Sequence, residues 1–221
     1  MIAIDGPSGS GKSSASKGVA RALGLRYLDT GAMYRALTWW FMAQGEQTSD
    51  EQRVAARAAE PAVDVSTDPD DPWTRVNGRD VSAEIRTPEV SAQVSAVARV
   101  PVVRERLIAQ QRAIIAAAGP GIVAEGRDIG TVVATEAQLK VFLTADPQAR
   151  ARRRAAELSA AVDDTEAAQA RRDRLDAAQS QKAPDALLVD ASELTLDQVI
   201  SKITRLAGER DPLACAGDKS I

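Results

Sequence analysis

The sequence of 221 residues predicts an α/β fold in which a parallel sheet is flanked by helices, and three observations carry that expectation. Helical periodicities dominate, but short apolar runs interrupt them at residues 1–5, 121–125, 139–144 and 187–190, as strands buried on both faces do. The first run passes straight into a glycine-rich stretch, Gly6-Pro7-Ser8-Gly9-Ser10-Gly11-Lys12-Ser13. Behind it Ala15, Val19 and Leu23 recur every fourth position until Gly24 stops the pattern.

That stretch fits G-x-x-x-x-G-K-[ST] at every fixed position, in the strand–loop–helix context a phosphate-binding loop needs. A triphosphate is a dense anion that many donors must approach at once. Gly6, Gly9 and Gly11 let successive backbone N–H groups converge, and the helix beginning near Lys12 turns its positive end toward them. Lys12 adds a mobile charge for the β- and γ-phosphates, and the Ser13 hydroxyl is the expected ligand of a Mg²⁺ ion shared with the nucleotide. Residues 6–14, from Gly6, Pro7, Ser8, Gly9, Ser10 and Gly11 through Lys12, Ser13 and Ser14, are the candidate ATP-binding segment.

The remaining elements follow in order. A helix is expected over residues 100–118, with Val103, Leu107, Ile114 and Ile115 on its apolar side, broken by Gly119-Pro120-Gly121. The strand after it ends in Glu125-Gly126-Arg127-Asp128, which places charge where open α/β sheets bind ligands. Thr195 and Gln198 form a capping box for a last helix that turns Leu196, Val199, Ile200, Ile203 and Leu206 inward and ends at Gly208. Residues 60–81, rich in proline and aspartate and carrying Asn77-Gly78, read as a small β-rich insertion. Residues 145–178 read as helix built from alanine and arginine, with too few large apolar side chains to be anchored by burial, hence a mobile surface element. Residues 208–221 read as a disordered tail, and no internal repeat is visible.

Composition narrows the chemistry. One catalytic domain suits this length. A net charge of −3 and 3% aromatic residues argue against nucleic acid as a partner. One cysteine and no histidine exclude disulfide scaffolds, Cys/His zinc sites and histidine-based triads. No apolar run approaches a membrane span and Met1 leads directly into a strand, so a cytoplasmic enzyme working on small molecules, without membrane and as a monomer, is expected.

Two further features point to the acceptor. Seven arginines fall between 150 and 174: Arg150, Arg152, Arg153, Arg154, Arg171, Arg172 and Arg174. They can be a solvated helix face with internal pairs such as Arg153 with Glu157. Beside a phosphate loop they can instead form a cationic lid, since phosphoryl transfer is catalysed by positioning and by charge on the equatorial oxygens. The second feature is Asp29-Thr30-Gly31-Ala32-Met33-Tyr34-Arg35, where Asp29 or Thr30 caps a helix that begins near Ala32.

GPSGSGKS, DTGAMYR, VSAEIR at 81–86 and EGRDIGTVV at 125–133 together closely resemble the bacterial cytidylate kinases of the nucleoside monophosphate kinase family, from Ile2 to about Leu206. The resemblance implies a core of 1–36, 99–148 and 176–207, a monophosphate-binding insertion of about 37–98 and a lid of about 149–175 that closes to exclude water. It implies ATP with Mg²⁺ as donor, held also by Arg150 and Arg154, and CMP or dCMP as acceptor. Lys12, Arg127 and Arg172 are then catalytic, and Arg35, Arg127 and Arg172 grip the acceptor phosphate. Thr30 and Asp176 match residues that bind the pentose, and Ser95, Arg104 and Asp128 match those that read cytosine, with Tyr34 also lining the acceptor site. Arg172, Asp176 and Gln179 are expected on one helical face, and Gln179 stands where the family usually carries arginine.

A separate argument favours a phosphate over a hydroxyl acceptor. A hydroxyl must be deprotonated by a positioned base, whereas a phosphate monoester is already an anionic nucleophile, and several arginines with no histidine suit the second. Asp29 and Asp128 keep open a small-molecule kinase of the same fold. A switch-type GTPase is disfavoured because no N-K-x-D motif is present, a transport ATPase because no LSGGQ-like stretch is, and an adaptor with a relict loop because the loop is intact.

Overall fold

The structure, a computed structural model, describes residues 1–158 and 162–210, with backbone alone at 154, 156–158 and 162–164. In chain order it contains β1 (Ile2–Asp5), α1 (Lys12–Leu23), β2 (Arg26–Asp29), α2 (Thr30–Ala43), α3 (Glu51–Arg57), β3 (Val63–Val65), β4 (Thr74–Val76) and β5 (Arg79–Asp80). A short 3-10 turn at Glu84–Arg86 precedes α4 (Pro88–Ala98), α5 (Pro101–Ala116) and β6 (Ile122–Gly126). A π-helical turn, Ile129–Val133, leads to β7 (Leu139–Thr144), α6 (Pro147–Leu158), α7 (Val162–Asp176), β8 (Leu187–Asp190) and α8 (Leu196–Arg210). The chain divides into two compact units, one of residues 1–27 with the chain from 119 onward, the other of residues 28–118.

The first unit is organised by a five-stranded sheet in the order β2-β6-β1-β7-β8. β1 runs parallel to both β6 and β7, with Ile4 opposite Glu125 on one side and Val141 on the other, and β8 runs parallel to β7. Every residue of β1 and β6 is buried, so neither strand shows a polar alternation. The period of two still sorts their side chains. Ile2 and Ile4, with Val123, Leu139, Val141 and Leu143, pack against Ala15 and Val19 of α1 and Val199 and Ile203 of α8. Ala3 and Asp5 belong to the opposite face.

α1 and α8 lie unusually close. A Cβ added at Gly18 would fall 2.2 Å from Cδ1 of Ile200, so the absence of a side chain sets the spacing of the two helices. The Thr195–Gln198 capping box is present, with reciprocal bonds of 2.9 and 3.3 Å. Two details of α8 differ from expectation. Leu196, the first helical residue, is 47% exposed, and the buried stripe begins one turn later at Val199. Gly208 does not end the helix, which runs to Arg210, because a glycine costs only about 1 kcal/mol in a helix interior.

All four expected strands form, within a residue at their ends, and β2 is an addition that its four residues gave no period to detect. α6 and α7 pack on each other. Buried Ala151, Ala155, Thr165 and Gln169 show that this alanine-rich pair buries small residues in place of large ones.

The second unit is built around α2, whose Met33, Leu37 and Phe41 are fully buried, with α4 beside it. The β-rich segment is a three-stranded antiparallel sheet in which Val63 faces Val76 and Val65 faces Thr74. Asn77 and Gly78, at φ 51° and 80°, make the tight turn between β4 and β5 that this residue pair favours. In α5 the buried residues are Val103, Leu107 and Gln111, while Ile114 and Ile115 are only half-buried, so the apolar stripe is shorter than the periodicity suggests.

Ile203 is fully buried and Leu196 half-exposed, which separates their expected contributions. Ile203→Ala should lower the unfolding free energy by about 2–5 kcal/mol and Leu196→Ala by less than about 1 kcal/mol, read from urea denaturation at unchanged m-value.

Candidate phosphate-binding and acceptor site

The loop between β1 and α1 turns on glycines that nothing else could replace. Gly6 sits at φ 152°, and a Cβ there would lie 2.0 Å from the backbone oxygen of Leu143, which cannot move aside. Gly11 caps α1 in the left-handed region without a side-chain bond, leaving the helix N-terminus open to a ligand. Ser10 and Lys12 are buried, Pro7, Ser8, Gly9 and Ser13 half-buried, and Ser14 is exposed on the first turn of α1.

Three successive carbonyls of the loop each hold one cation. The Gly6 oxygen accepts from Nη1 of Arg127 at 2.9 Å, the Pro7 oxygen from Nζ of Lys12 at 2.6 Å, and the Ser8 oxygen from Nη1 of Arg150 at 2.9 Å. A neutral carbonyl orients a cation without cancelling its charge. Arg127 and Arg172 share Asp176, whose Oδ2 lies 3.3 and 3.7 Å from their Nε atoms. Burial, and then the positive charges of Arg127 and Arg172, hold the Lys12 amine well below the ordinary lysine range, against the opposing pull of Glu125 and Asp5. Nε of Arg150 is buried and has no hydrogen-bond partner among the described residues.

Two buried carboxylates brace this arrangement, and the motif reading passed over both in assigning roles. Asp5, the last residue of β1, accepts from the backbone N–H groups of Ile129 at 2.9 Å and Gly130 at 2.8 Å, pinning the π-helical turn that follows Arg127 and Asp128. Burial pushes its carboxyl above the usual aspartate range, with Asp128 adding to the shift and the two N–H bonds opposing it. Glu125 accepts a short hydrogen bond from the Tyr27 hydroxyl inside the core, beside Lys12. The only sign of either in the sequence is an acidic residue at the carboxyl end of an apolar strand.

From the helical pair, Arg150, Gln169 and Asp173 reach the loop. Asp173 Oδ1 accepts from the Ser8 N–H at 3.2 Å and its Oδ2 from Nη1 of Arg150 at 2.5 Å. The expected pairing of Arg153 with Glu157 falls on a side chain outside the described residues; Arg153 itself donates to the carbonyl of Ala191 at 2.5 Å. The Arg154 side chain and the tail from 211 on also lie outside the described residues. Gln179 departs from expectation: α7 ends at Asp176 and the Gln179 N–H donates to the Asp176 carbonyl in a turn, so Gln179 shares no helical face with Arg172 and Asp176.

In the second unit Asp29 is the hub. It caps α2 by accepting from the Ala32 N–H at 2.8 Å and pairs with Arg35 at 2.9 Å and Arg86 at 3.4 Å. Burial alone would raise its carboxyl, but Arg35 and Arg86 outweigh burial and hold it below the usual range. A carboxylate so held is a weaker proton acceptor, which counts against Asp29 as a general base. Nε of Arg35 is buried without a partner among the described residues. Thr30 and Tyr34 are buried one turn apart on α2, Ser95 is buried on α4, and Arg104 is half-buried in the first turn of α5.

Comparison with known proteins converges with this geometry. The family model described as cytidylate kinase matches residues 2–209. The cytidylate kinase of Streptomyces avermitilis is 51% identical over 95% of this chain and 93% of its own length. That of Streptomyces coelicolor is 52% identical over the same shares, 95% and 93%. The Mycolicibacterium paratuberculosis enzyme is 48% identical over 97% of each chain. An uncharacterised protein from Eubacterium ventriosum, 11% identical, superposes with a TM-score of 0.54 over 94% of this chain and 97% of its own, a likeness of fold alone. A loop that tethers three cations by its carbonyls, and near-complete matches to one set of sequences, lead to one statement: the chain belongs to the cytidylate kinase family.

Proposed function

We propose that the protein transfers the γ-phosphoryl group of ATP to CMP, and to dCMP, giving ADP and CDP or dCDP in pyrimidine nucleotide metabolism. The observation that carries this reading is the gathering of Lys12, Arg127 and Arg172 at the phosphate loop with Asp176 as the one acid paired to both arginines. Such a gathering of cations suits the three equatorial oxygens of a phosphoryl group in flight and the acceptor phosphate beside it. A basic side chain is not needed, because the acceptor phosphate is itself the nucleophile. Asp29 is held ionised by Arg35 and Arg86, and both oxygens of Asp5 are taken by backbone N–H groups.

In this reading residues 6–14 with Arg150 and Arg154 bind ATP, and Arg35, Arg127 and Arg172 bind the acceptor phosphate. Thr30, Tyr34 and Asp176 hold the sugar, and Ser95, Arg104 and Asp128 read the base. Residues of about 37–98 form the acceptor region and about 149–175 the lid. The described residues contain no cluster of three or more acidic, histidine or cysteine groups for a metal, but Ser13, half-buried at the head of α1, is the single hydroxyl a nucleotide-borne Mg²⁺ needs from the protein. Mg²⁺ would neutralise charge on the β- and γ-phosphates. The reading also takes the enzyme as a cytoplasmic monomer acting on diffusible nucleotides, without nucleic acid or membrane; among the described residues no helix is long and apolar enough to cross one.

The decisive assay measures ADP release from ATP and Mg²⁺ with CMP, dCMP, UMP, AMP and GMP offered separately, and with shikimate and gluconate as hydroxyl-bearing controls. Preference for CMP and dCMP is expected; turnover confined to a hydroxyl acceptor would reverse the assignment. Arg35→Met should reduce kcat/KM for CMP by roughly 10- to 100-fold, the worth of about 1.5–3 kcal/mol for a charged hydrogen bond, with ATP affinity unchanged. Unaltered CMP kinetics in a folded variant would take Arg35 out of the acceptor site. ATP binding should also take up protons. Free Lys12 is shifted down by burial and its arginine neighbours, and a phosphate beside it shifts the amine back up, so protonation rises on binding between those two values. Calorimetry in buffers of different ionisation enthalpy should show proton uptake at pH values below the ordinary lysine range, and proton release would contradict the placement of Lys12.

A further inference from the structure

Asp173 lies at the centre of a contact that no substrate role explains. On α7, Gln169, Arg172, Asp173 and Asp176 are spaced by three and four residues and so share one side of the helix. Each has its own task there. Gln169 donates to the Arg150 carbonyl at 3.3 Å and lies where a Cβ on Gly9 would meet its Nε2 at 2.1 Å. Arg172 and Asp176 belong to the cation cluster around Lys12. Asp173 spans two partners, with one oxygen on the Ser8 N–H and the other on Arg150, whose same nitrogen donates to the Ser8 carbonyl. The backbone of Ser8 is therefore held at both its polar groups, by Asp173 directly and by Arg150 as the bridge.

We propose that Asp173 is a positioning residue: by seating its carboxylate on the Ser8 N–H and Arg150 it registers α7 against the phosphate loop, and so sets where the adjacent Arg172 guanidinium stands relative to Lys12. This rests on the kinase reading above. An arginine that stabilises a transferring phosphoryl group acts only if held within a fraction of an ångström, and its own long side chain does not fix it. Its chain neighbour can, because a charged hydrogen bond to backbone ties the helix itself to the loop. A helix so pinned brings Arg172 to the loop with little rotational freedom left to lose. The carboxylate matters in both halves: its charge holds Arg150 and its oxygen satisfies the loop N–H.

The test compares wild type, Asp173→Ala and Asp173→Asn, with kcat and both KM values measured on CMP, or on whichever monophosphate the wild type accepts. Tryptic cleavage within α6 and α7 is followed without any acceptor, and the melting temperature is recorded. Asp173→Ala should lose roughly tenfold or more in kcat while both KM values stay within about threefold, since placement of the transferring group and not uniform binding is impaired. Cleavage within the helical pair should rise about fivefold or more as the pair leaves the loop. Asp173→Asn keeps an oxygen for Ser8 but not the charge for Arg150, so it should fall between the two. Undiminished kcat in Asp173→Ala, a loss confined to KM, or a fall in kcat with unchanged proteolysis would each overturn the proposal. A wild type inactive on every monophosphate would instead refute the kinase reading, with the cleavage comparison still judging the Asp173 contact.

Discussion

The structure depends on one electrostatic constraint, which is to keep several positive charges side by side inside a folded protein and leave them unspent. Arg127 and Arg150 each have a carboxylate neighbour, Asp176 and Asp173, but carboxylates as the only partners would neutralise the groups that a nucleotide needs. This chain ties Arg127, Lys12 and Arg150 to the consecutive carbonyls of Gly6, Pro7 and Ser8. Carbonyls have oriented dipoles and no net charge, so they fix direction at little loss of potential. The cost appears in Lys12, whose amine is driven down by burial and by its arginine neighbours. Glu125 and Asp5 offset part of that cost.

The same constraint accounts for the otherwise odd backbone after β6. The first N–H groups of any helical turn lack partners within it and can be turned toward an acceptor on β1. The π-helical turn does so at Ile129 and Gly130, and Asp5 receives both. One buried carboxylate thus links the end of the central strand to the segment that carries Arg127, and the sheet's parallel register, Asp5 beside Gly126, brings the two within reach. Positions of this kind concentrate near reactive sites because irregular backbone persists only where the surroundings enforce it.

Much of this was legible in the residues. The phosphate loop, four strands, the Thr195–Gln198 cap, the Asn77-Gly78 turn and the Asp29 cap are all local patterns, and local patterns survive folding. What escaped detection was decided by tertiary geometry. β2 is four residues with no period. The exposure of Leu196 follows from where the buried stripe of α8 begins, not from the stripe's spacing. Gln179 fits i+7 on paper, but the helix ends three residues earlier. Arg153 bonds the carbonyl of Ala191, a partner 38 residues away that no local spacing announces. Asp5 and Asp173 had no role to announce them, and Glu125 stood inside a motif without one, since their significance lies in backbone N–H groups and side chains remote along the chain.

The close approach of Gly18 to Ile200 bears on how the first unit is assembled in time. The helix that carries the loop is seated by a helix some 180 residues further along the chain, and β1 is flanked by strands more than 115 residues away. Closing contacts of such separation is entropically slow, and none of them forms from neighbouring sequence alone. The loop, although encoded near residue 10, therefore acquires its shape late, when the most distant parts of the chain have already found one another. The early chain carries the loop's sequence without the scaffold that shapes it, and whatever the loop binds can be held only once that scaffold is complete.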